Sequence, residues 1–177
     1  MTVLDTLVQR NSRFAQSRFS TDLKITPSMK MIIIGCVDPR VDPVDIFDIQ
    51  LGEAAIIRNI GGRVTPSEHR TIEMLNLISQ ANGGELGPGW NLIVLHHTDC
   101  GITRLGNAPK QLAQFFGVSP GALPALAIND PYTSVAIDVA ALKANPQLSA
   151  ELVVTGLVYD VRTGRVETIV APAPLRS

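Results

Sequence analysis

Short, wholly apolar runs alternate along the chain with longer stretches whose apolar residues recur at helical spacing. Met31-Ile32-Ile33-Ile34-Gly35-Cys36-Val37 is unbroken by any charge, which is how a strand buried on both faces reads. Ala54–Ile60, Trp90–His96 and Glu151–Asp160 predict three further strands. Thr65-Pro66-Ser67-Glu68 joins a cap, a first-turn proline and the acidic partner of a capping box. Ile72, Leu75 and Ile78 then share one helical face until Asn82-Gly83-Gly84 stops the helix. Asp130-Pro131 repeats the start signal, and Val135, Val139 and Leu142 carry a stripe to Asn145-Pro146. Pro43 opens a short helix ending before Gly52, Gly101 a helical start, and Pro109 a helical stretch reaching Phe116. Pro120, Gly121 and Pro124 mark 117–129 as loop, and Thr163-Gly164 turns the chain into an antiparallel edge strand, Arg165–Val170.

Strands alternating with helices imply right-handed crossovers and a mainly parallel sheet covered on both faces. The expected fold is therefore α/β, with one domain over 31–177 and an N-terminal arm over 1–30. The arm is polar and punctuated by Asn11, Ser12, Ser17, Ser20 and Pro27. Leu4, Leu7 and Val8 could place a short amphipathic helix there, and such a helix needs a surface to lie on, such as a partner subunit. The sequence shows no internal repeat, low-complexity tract or second-domain boundary.

Composition narrows the function classes. A chain of 177 residues with 45% hydrophobic residues and a mean hydropathy of +0.20 can fill a single core. No apolar run approaches the ~20 residues that cross a bilayer. The first residues lack a basic segment followed by an apolar one, so a cytoplasmic location is expected. A formal net charge of −1, with 15 dispersed basic residues, argues against nucleic-acid or anionic-membrane binding. The two cysteines, Cys36 and Cys100, could be a disulfide, buried fillers, a redox pair or metal ligands, of which a structural disulfide is disfavoured in a reducing cytosol.

Position favours the metal. In open parallel sheets ligands bind beyond the carboxyl ends of strands, where strand order reverses. The first predicted strand runs into Cys36-Val37-Asp38-Pro39-Arg40, and the third into His96-His97-Thr98-Asp99-Cys100-Gly101. If those strands are neighbours, two thiolates and one imidazole meet, a set suited to Zn2+ with a fourth position open. His97 is the expected ligand because it stands three residues before Cys100, whereas His96 faces the other side of the strand. Gly101 could offer a backbone N–H to an oxyanion, or could simply make a tight turn. Asp38 and Arg40 alone would read as an ordinary ion pair, and His69 as a solvated surface residue.

Cys36-x-Asp38-x-Arg40 followed by His97-x-x-Cys100-Gly101 resembles the paired signature of the β-carbonic anhydrases. The segments Gln50-Leu51-Gly52-Glu53-Ala54, Arg58-Asn59 and Val154–Gly164 are similar to other parts of that family, so the resemblance spans 31–170. His96 departs from it, standing where glycine is more usual. The resemblance implies one Zn2+ per chain and reversible hydration of carbon dioxide to bicarbonate and a proton. It further implies that Asp38 orients the zinc-bound hydroxide, that Arg40 holds Asp38, and that in a closed state Asp38 becomes the fourth ligand. Gln50 matches a position reaching into the substrate pocket, often of the neighbouring subunit, and the family generally builds from dimers. Two rivals keep the metal: hydrolysis of carbonyl sulfide or carbon disulfide, and a non-catalytic zinc-binding module.

Overall fold

The computed structural model describes residues 1–176, and among them the chain forms one five-stranded sheet. Its strands are β1 (Met31–Cys36), β2 (Ala54–Asn59), β3 (Asn91–His97), β4 (Val153–Asp160) and β5 (Arg165–Pro174), in the order β2-β1-β3-β4-β5. The first four are parallel, and β5 pairs antiparallel with β4. The helices are α1 (Val3–Ser17), α2 (Pro43–Ile46), α3 (Pro66–Ala81), α4 (Pro109–Phe116) and α5 (Pro131–Ala144). The α/β class and the antiparallel edge expected from the sequence are both present.

From β1 the chain goes to β2 on one side, then through α3 to β3 on the other. Strand order therefore reverses at β1, and the pairing Met31↔Asn91 to Gly35↔Leu95 holds the two carboxyl ends level. Alternation along β1 sends Ile32 and Ile34 into one core with Ile72, Val135, Val139 and Leu142 of the covering helices. Ile33 faces the opposite layer with Ile49 and Leu95. Each such side chain, taken fully out of water, contributes about 1.5–3 kcal/mol, so the sheet beneath the site is held by core on both faces. A third cluster, with Val41, Ile102, Leu112 and Phe116, encloses Cys36 and Cys100 themselves.

Several elements differ from expectation. Helix α1 is 15 residues long because Thr2 and Asp5 form a full capping box and no glycine or proline occurs before Pro27. None of its residues is buried. Helix α2 stops at Ile46, and Asp48 turns the chain with φ +49°. Within 117–129, Pro120–Leu126 winds into a 3-10 helix ending at Ala127, φ +46°. The last strand continues past Val170 to Pro174. His69 is half-buried rather than solvated, its Nδ1 2.9 Å from Asn145 Nδ2, and burial lowers its pKa. No described helix is long and apolar enough to cross a membrane.

Candidate metal centre

Cys36 ends β1 and His97 ends β3; Cys100 follows after the turn Thr98-Asp99. That turn needs a residue at φ +53°, and Asp99 supplies it, aspartate being among the side chains that tolerate this region. Cys36, His97 and Cys100 are all buried, with one ligand atom from each lying within 4.8 Å of the others. The two sulfurs stand 3.8 Å apart with no disulfide between them.

The protonation of this cluster follows from its partners. His97 Nδ1 lies 2.8 Å from the Thr98 carbonyl oxygen, which can only accept, so Nδ1 carries the proton and Nε2 keeps its lone pair. Nε2 is buried and has no hydrogen-bond partner. Cys36 Sγ accepts from the backbone N–H of Asp38 at 3.4 Å and of Gly61 at 3.3 Å. The hydrogen bond from Cys100 lowers the Cys36 thiol to about 4, with the two backbone N–H groups assisting against burial. Cys100 is pushed the opposite way, first by that bond and then by burial. The hydrogen bond between the sulfurs therefore favours a thiolate on Cys36 over one on Cys100. A buried lone pair, a thiolate and a second sulfur converging on one point make a site for a divalent metal of borderline softness.

Asp38 and Arg40 stand at the mouth of this cluster. Arg40 donates to Asp38 from its backbone N at 2.9 Å, from Nε at 3.0 Å and from Nη2 at 2.7 Å. Its Nη1 reaches Asp99 Oδ2 at 2.9 Å, and Nη2 also the Asp99 carbonyl at 3.0 Å. Arg40 thus ties the turn after β1 to the turn after β3. The guanidinium hydrogen bond holds the Asp38 carboxyl down at about 2, so Asp38 is an acceptor at every physiological pH.

Two expected residues stand apart from the cluster. Gln50 is exposed, its carboxamide donating to the Asp48 carbonyl at 2.9 Å and to Asp48 Oδ1 at 3.2 Å. Within its own chain it is not brought to the Cys-His-Cys site. Gly101 opens the 3-10 turn Gly101–Leu105 with no positive φ, and nothing lies within 4 Å of where a Cβ would be. A tight turn that demands glycine is therefore not its reason.

For other residues the sequence did not reveal the part they play. Arg58 clamps the turn after β1, donating to the Cys36 carbonyl at 2.8 Å and the Asp38 carbonyl at 2.9 Å while paired with Asp42. Asn59 bonds both backbone groups of Arg63, at 2.9 and 2.7 Å, closing the loop that aims the Gly61 N–H at Cys36. His96 turns away from the cluster, as strand alternation requires, to Ser134 at 2.9 Å and Asp138 at 3.1 Å on α5. Arg58-Asn59 was visible as a pair of polar residues ending an apolar strand, which was the available signal. Arg63, Ser134 and Asp138 gave none, because the sequence separates them by 71 and 75 positions.

A family profile described as carbonic anhydrase matches residues 31–115. Beta-carbonic anhydrase 1 of Mycobacterium tuberculosis is 30% identical over 171 residues, covering 96% of this chain and 99% of that protein. A carbon disulfide hydrolase of Acidianus sp. is 27% identical over 168 residues, covering 80% and 78%. The crystal structure of a carbonic anhydrase from Streptococcus mutans superposes with a TM-score of 0.73 at 32% identity, covering 96% and 98%. With this identity sustained over nearly the whole length, on the same fold, the chain belongs to the β-carbonic anhydrase family, and its relatives support carbonate dehydratase activity.

Proposed function

We propose that the protein catalyses reversible hydration of carbon dioxide to bicarbonate and a proton, using one Zn2+ held by Cys36, His97 and Cys100. The observation that carries this reading is the buried, unpartnered Nε2 of His97 facing two buried sulfurs. Two thiolates bound to zinc at ~2.3 Å and the tetrahedral angle sit about 3.8 Å apart, and the sulfurs here are 3.8 Å apart. Three protein ligands leave one position for water, as catalytic zinc sites require. Bound zinc would supply Lewis acidity, bringing water ionisation close to pH 7.

The chain's own residues do the rest. Asp38, ionised and fixed by Arg40, accepts a hydrogen bond from the attacking oxygen and orients its lone pair toward the carbon. Arg40 acts through Asp38 and is a positioning residue. The Gly101 N–H is proposed to meet the bicarbonate oxygen, and Gln50 to serve the site of a second copy, since it does not reach its own. In this conformation three hydrogen bonds from Arg40 must break before Asp38 can become a fourth ligand. The open state is therefore the expected resting form.

We further propose a homo-oligomer, at least a dimer, in which residues 1–30 pack on the partner. Exposed Val37, Val44, Phe47, Leu51 and Ile60 support it. A reducing compartment such as the cytoplasm suits ligand thiols that must stay reduced.

Hydrolysis of carbon disulfide or carbonyl sulfide is the second reading, favoured by the carbon disulfide hydrolase among the relatives. Stopped-flow carbon dioxide hydration from pH 6 to 9, with zinc measured on the same sample, decides. We expect rapid hydration with about one zinc per chain. Negligible hydration beside rapid sulfide release would overturn the first reading. A zinc-loaded protein inactive in both assays would point to a non-catalytic module.

A further inference from the structure

Arg58 bonds neither the Cys36 sulfur nor the Asp38 carboxylate; it holds the backbone on which both are mounted. It stands on β2 beside Gly35 of β1 in the parallel register. Its Nε donates to the Cys36 carbonyl at 2.8 Å, and its Nη2 to the Asp38 carbonyl at 2.9 Å. These two nitrogens form one edge of the guanidinium plane, so a single rigid fork fixes both carbonyls. The remaining nitrogen, Nη1, is paired with Asp42.

The fork matters because little else holds this stretch. β1 ends at Cys36, and Pro39 has no N–H to give. The Val37 N–H still bonds the Asn59 carbonyl at 2.9 Å, and the Val41 N–H closes a turn on the Asp38 carbonyl at 3.1 Å. The two carbonyls that Arg58 grips belong to the planar peptides bracketing Val37 and Asp38. Between them lie the Asp38 N–H aimed at the Cys36 sulfur, 3.4 Å away, and the carboxylate that Arg40 holds. Arg40 thus fixes the head of Asp38, and Arg58 fixes its base.

The sequence also provides the anchor. A Cβ at Gly35 would stand 3.2 Å from Pro43 Cγ, so the bare position lets Asp42-Pro43 lie close over β1, beside Arg58. Asp42 is itself fixed, because its Oδ1 caps α2 through the Val44 N–H at 3.0 Å. Arg58 and Asp42 are both partly exposed, so replacing either strands no deeply buried charge.

We propose that Arg58 is a positioning residue for the hydration reaction, setting the turn that presents Asp38 and the Cys36 sulfur to the metal. Its kinetic consequence rests on the carbon dioxide reading; its hold on the turn does not.

The test compares Arg58→Lys and Arg58→Gln with the wild type as full-length chains. Lysine keeps the charge but lacks the fork, so it separates the two. Gly83→Ala, whose Cβ position is open, serves as a destabilised control. Three quantities are read: kcat and KM for carbon dioxide hydration, zinc affinity by chelator competition, and the visible spectrum of the cobalt(II)-substituted chain, which reports ligand geometry. We expect both Arg58 variants to lose ~10–100-fold in kcat and ~10-fold in zinc affinity, with shifted cobalt bands. KM should change less than ~2-fold, as for an interaction that serves the transition state. Gly83→Ala should match the wild type in all three. Asp42→Asn keeps the α2 cap and removes only the ion pair; it should lower kcat ~10-fold, and it carries the test if the Arg58 variants do not fold. Wild-type kcat in Arg58→Lys or in Asp42→Asn would overturn the proposal. So would equal losses in Gly83→Ala, or cobalt bands and zinc affinity that stay unaltered beside a slow reaction. A wild type that does not hydrate carbon dioxide would sink that reading instead, and the two metal readouts would still decide what Arg58 holds.

Discussion

A single unprotonated nitrogen decides the chemistry at the residue scale. His97 Nε2 is buried without a hydrogen-bond partner, a cost that a positive centre taking its lone pair would remove. Cys36 adds a thiolate already favoured by two backbone N–H groups. Removing it should therefore affect the metal before it affects the fold. Cys36→Ser is expected to weaken zinc by at least ~100-fold, the upper end of what outer-shell changes do; competition with a chromogenic chelator reads this directly. Asp38 gives a prediction with a sign. Its folded pKa, about 2, lies below the ordinary value of 3.8, so its pairing with Arg40 stabilises the fold fully above about pH 4 and is lost as pH falls through 2. Arg40→Gln removes the main cause, and the carboxyl 13C titration of Asp38 should move back up toward the ordinary range. Carbon dioxide hydration should fall ~10–100-fold in the same variant with zinc content unchanged. Hydration at the wild-type rate would show that Arg40 does not position Asp38. These residues were legible because Cys36, Asp38 and Arg40 crowd one strand end and His97 and Cys100 the next. Arg63, Ser134 and Asp138 were not, because each is an ordinary residue until α5 packs against β3.

At the scale of elements, the site depends on how closely a loop approaches the sheet. The 3-10 turn Ile60–Gly62 after β2 passes directly over the end of β1. A Cβ on Gly62 would stand 2.9 Å from Cys36 N and from Leu95 O, and its φ is +65°. Neither obstacle can move, since both belong to paired strands. Gly62→Ala should cost about 2 kcal/mol or more, combining left-handed backbone strain with overlap. It should also weaken zinc, because the displaced turn carries the Gly61 N–H away from Cys36. Gly83 also has a positive φ, +77°, but nothing lies within 4 Å of its Cβ position. Gly83→Ala should therefore cost only the ~1–2 kcal/mol of strain and leave the metal untouched. Urea unfolding and zinc titration of both variants check the contrast, and equal losses would refute the close-approach argument. The strands and capped helices were readable from period and punctuation, since Thr65 and Asp130 announce α3 and α5 unambiguously. The 3-10 turns were not, because Pro and Gly in 117–129 signal the end of regular helix without specifying what replaces it. Helix α1 ran longer than its three apolar residues implied because capping, not burial, starts it.

For the whole molecule, what lies uncovered matters most. Leu4, Leu7 and Val8 of α1 are 68%, 54% and 58% exposed, and an isolated helix of this length is marginal in water. Strand β2, at the sheet edge, is only half-buried along its whole length, although parallel strands are ordinarily covered on both faces. Val37, next to Cys36, is 45% exposed at the site itself. One body covering the arm, the β2 edge and the site mouth would resolve all three, as the proposed second copy of the chain would in a two-fold arrangement. Gln50, exposed on the connection between α2 and β2, would then face the neighbour's metal. Light scattering at micromolar concentration should give at least twice 19.0 kDa. Deleting residues 1–24 should shift the equilibrium toward monomer, with the sheet still folded by circular dichroism. If Gln50 acts across the interface, Gln50→Ala should lower hydration only in the oligomer, and mixing it with Cys36→Ser should restore one competent site per heterodimer. A monomeric full-length chain with full activity would remove both the arm's role and that of Gln50, and would leave the metal ligands standing alone.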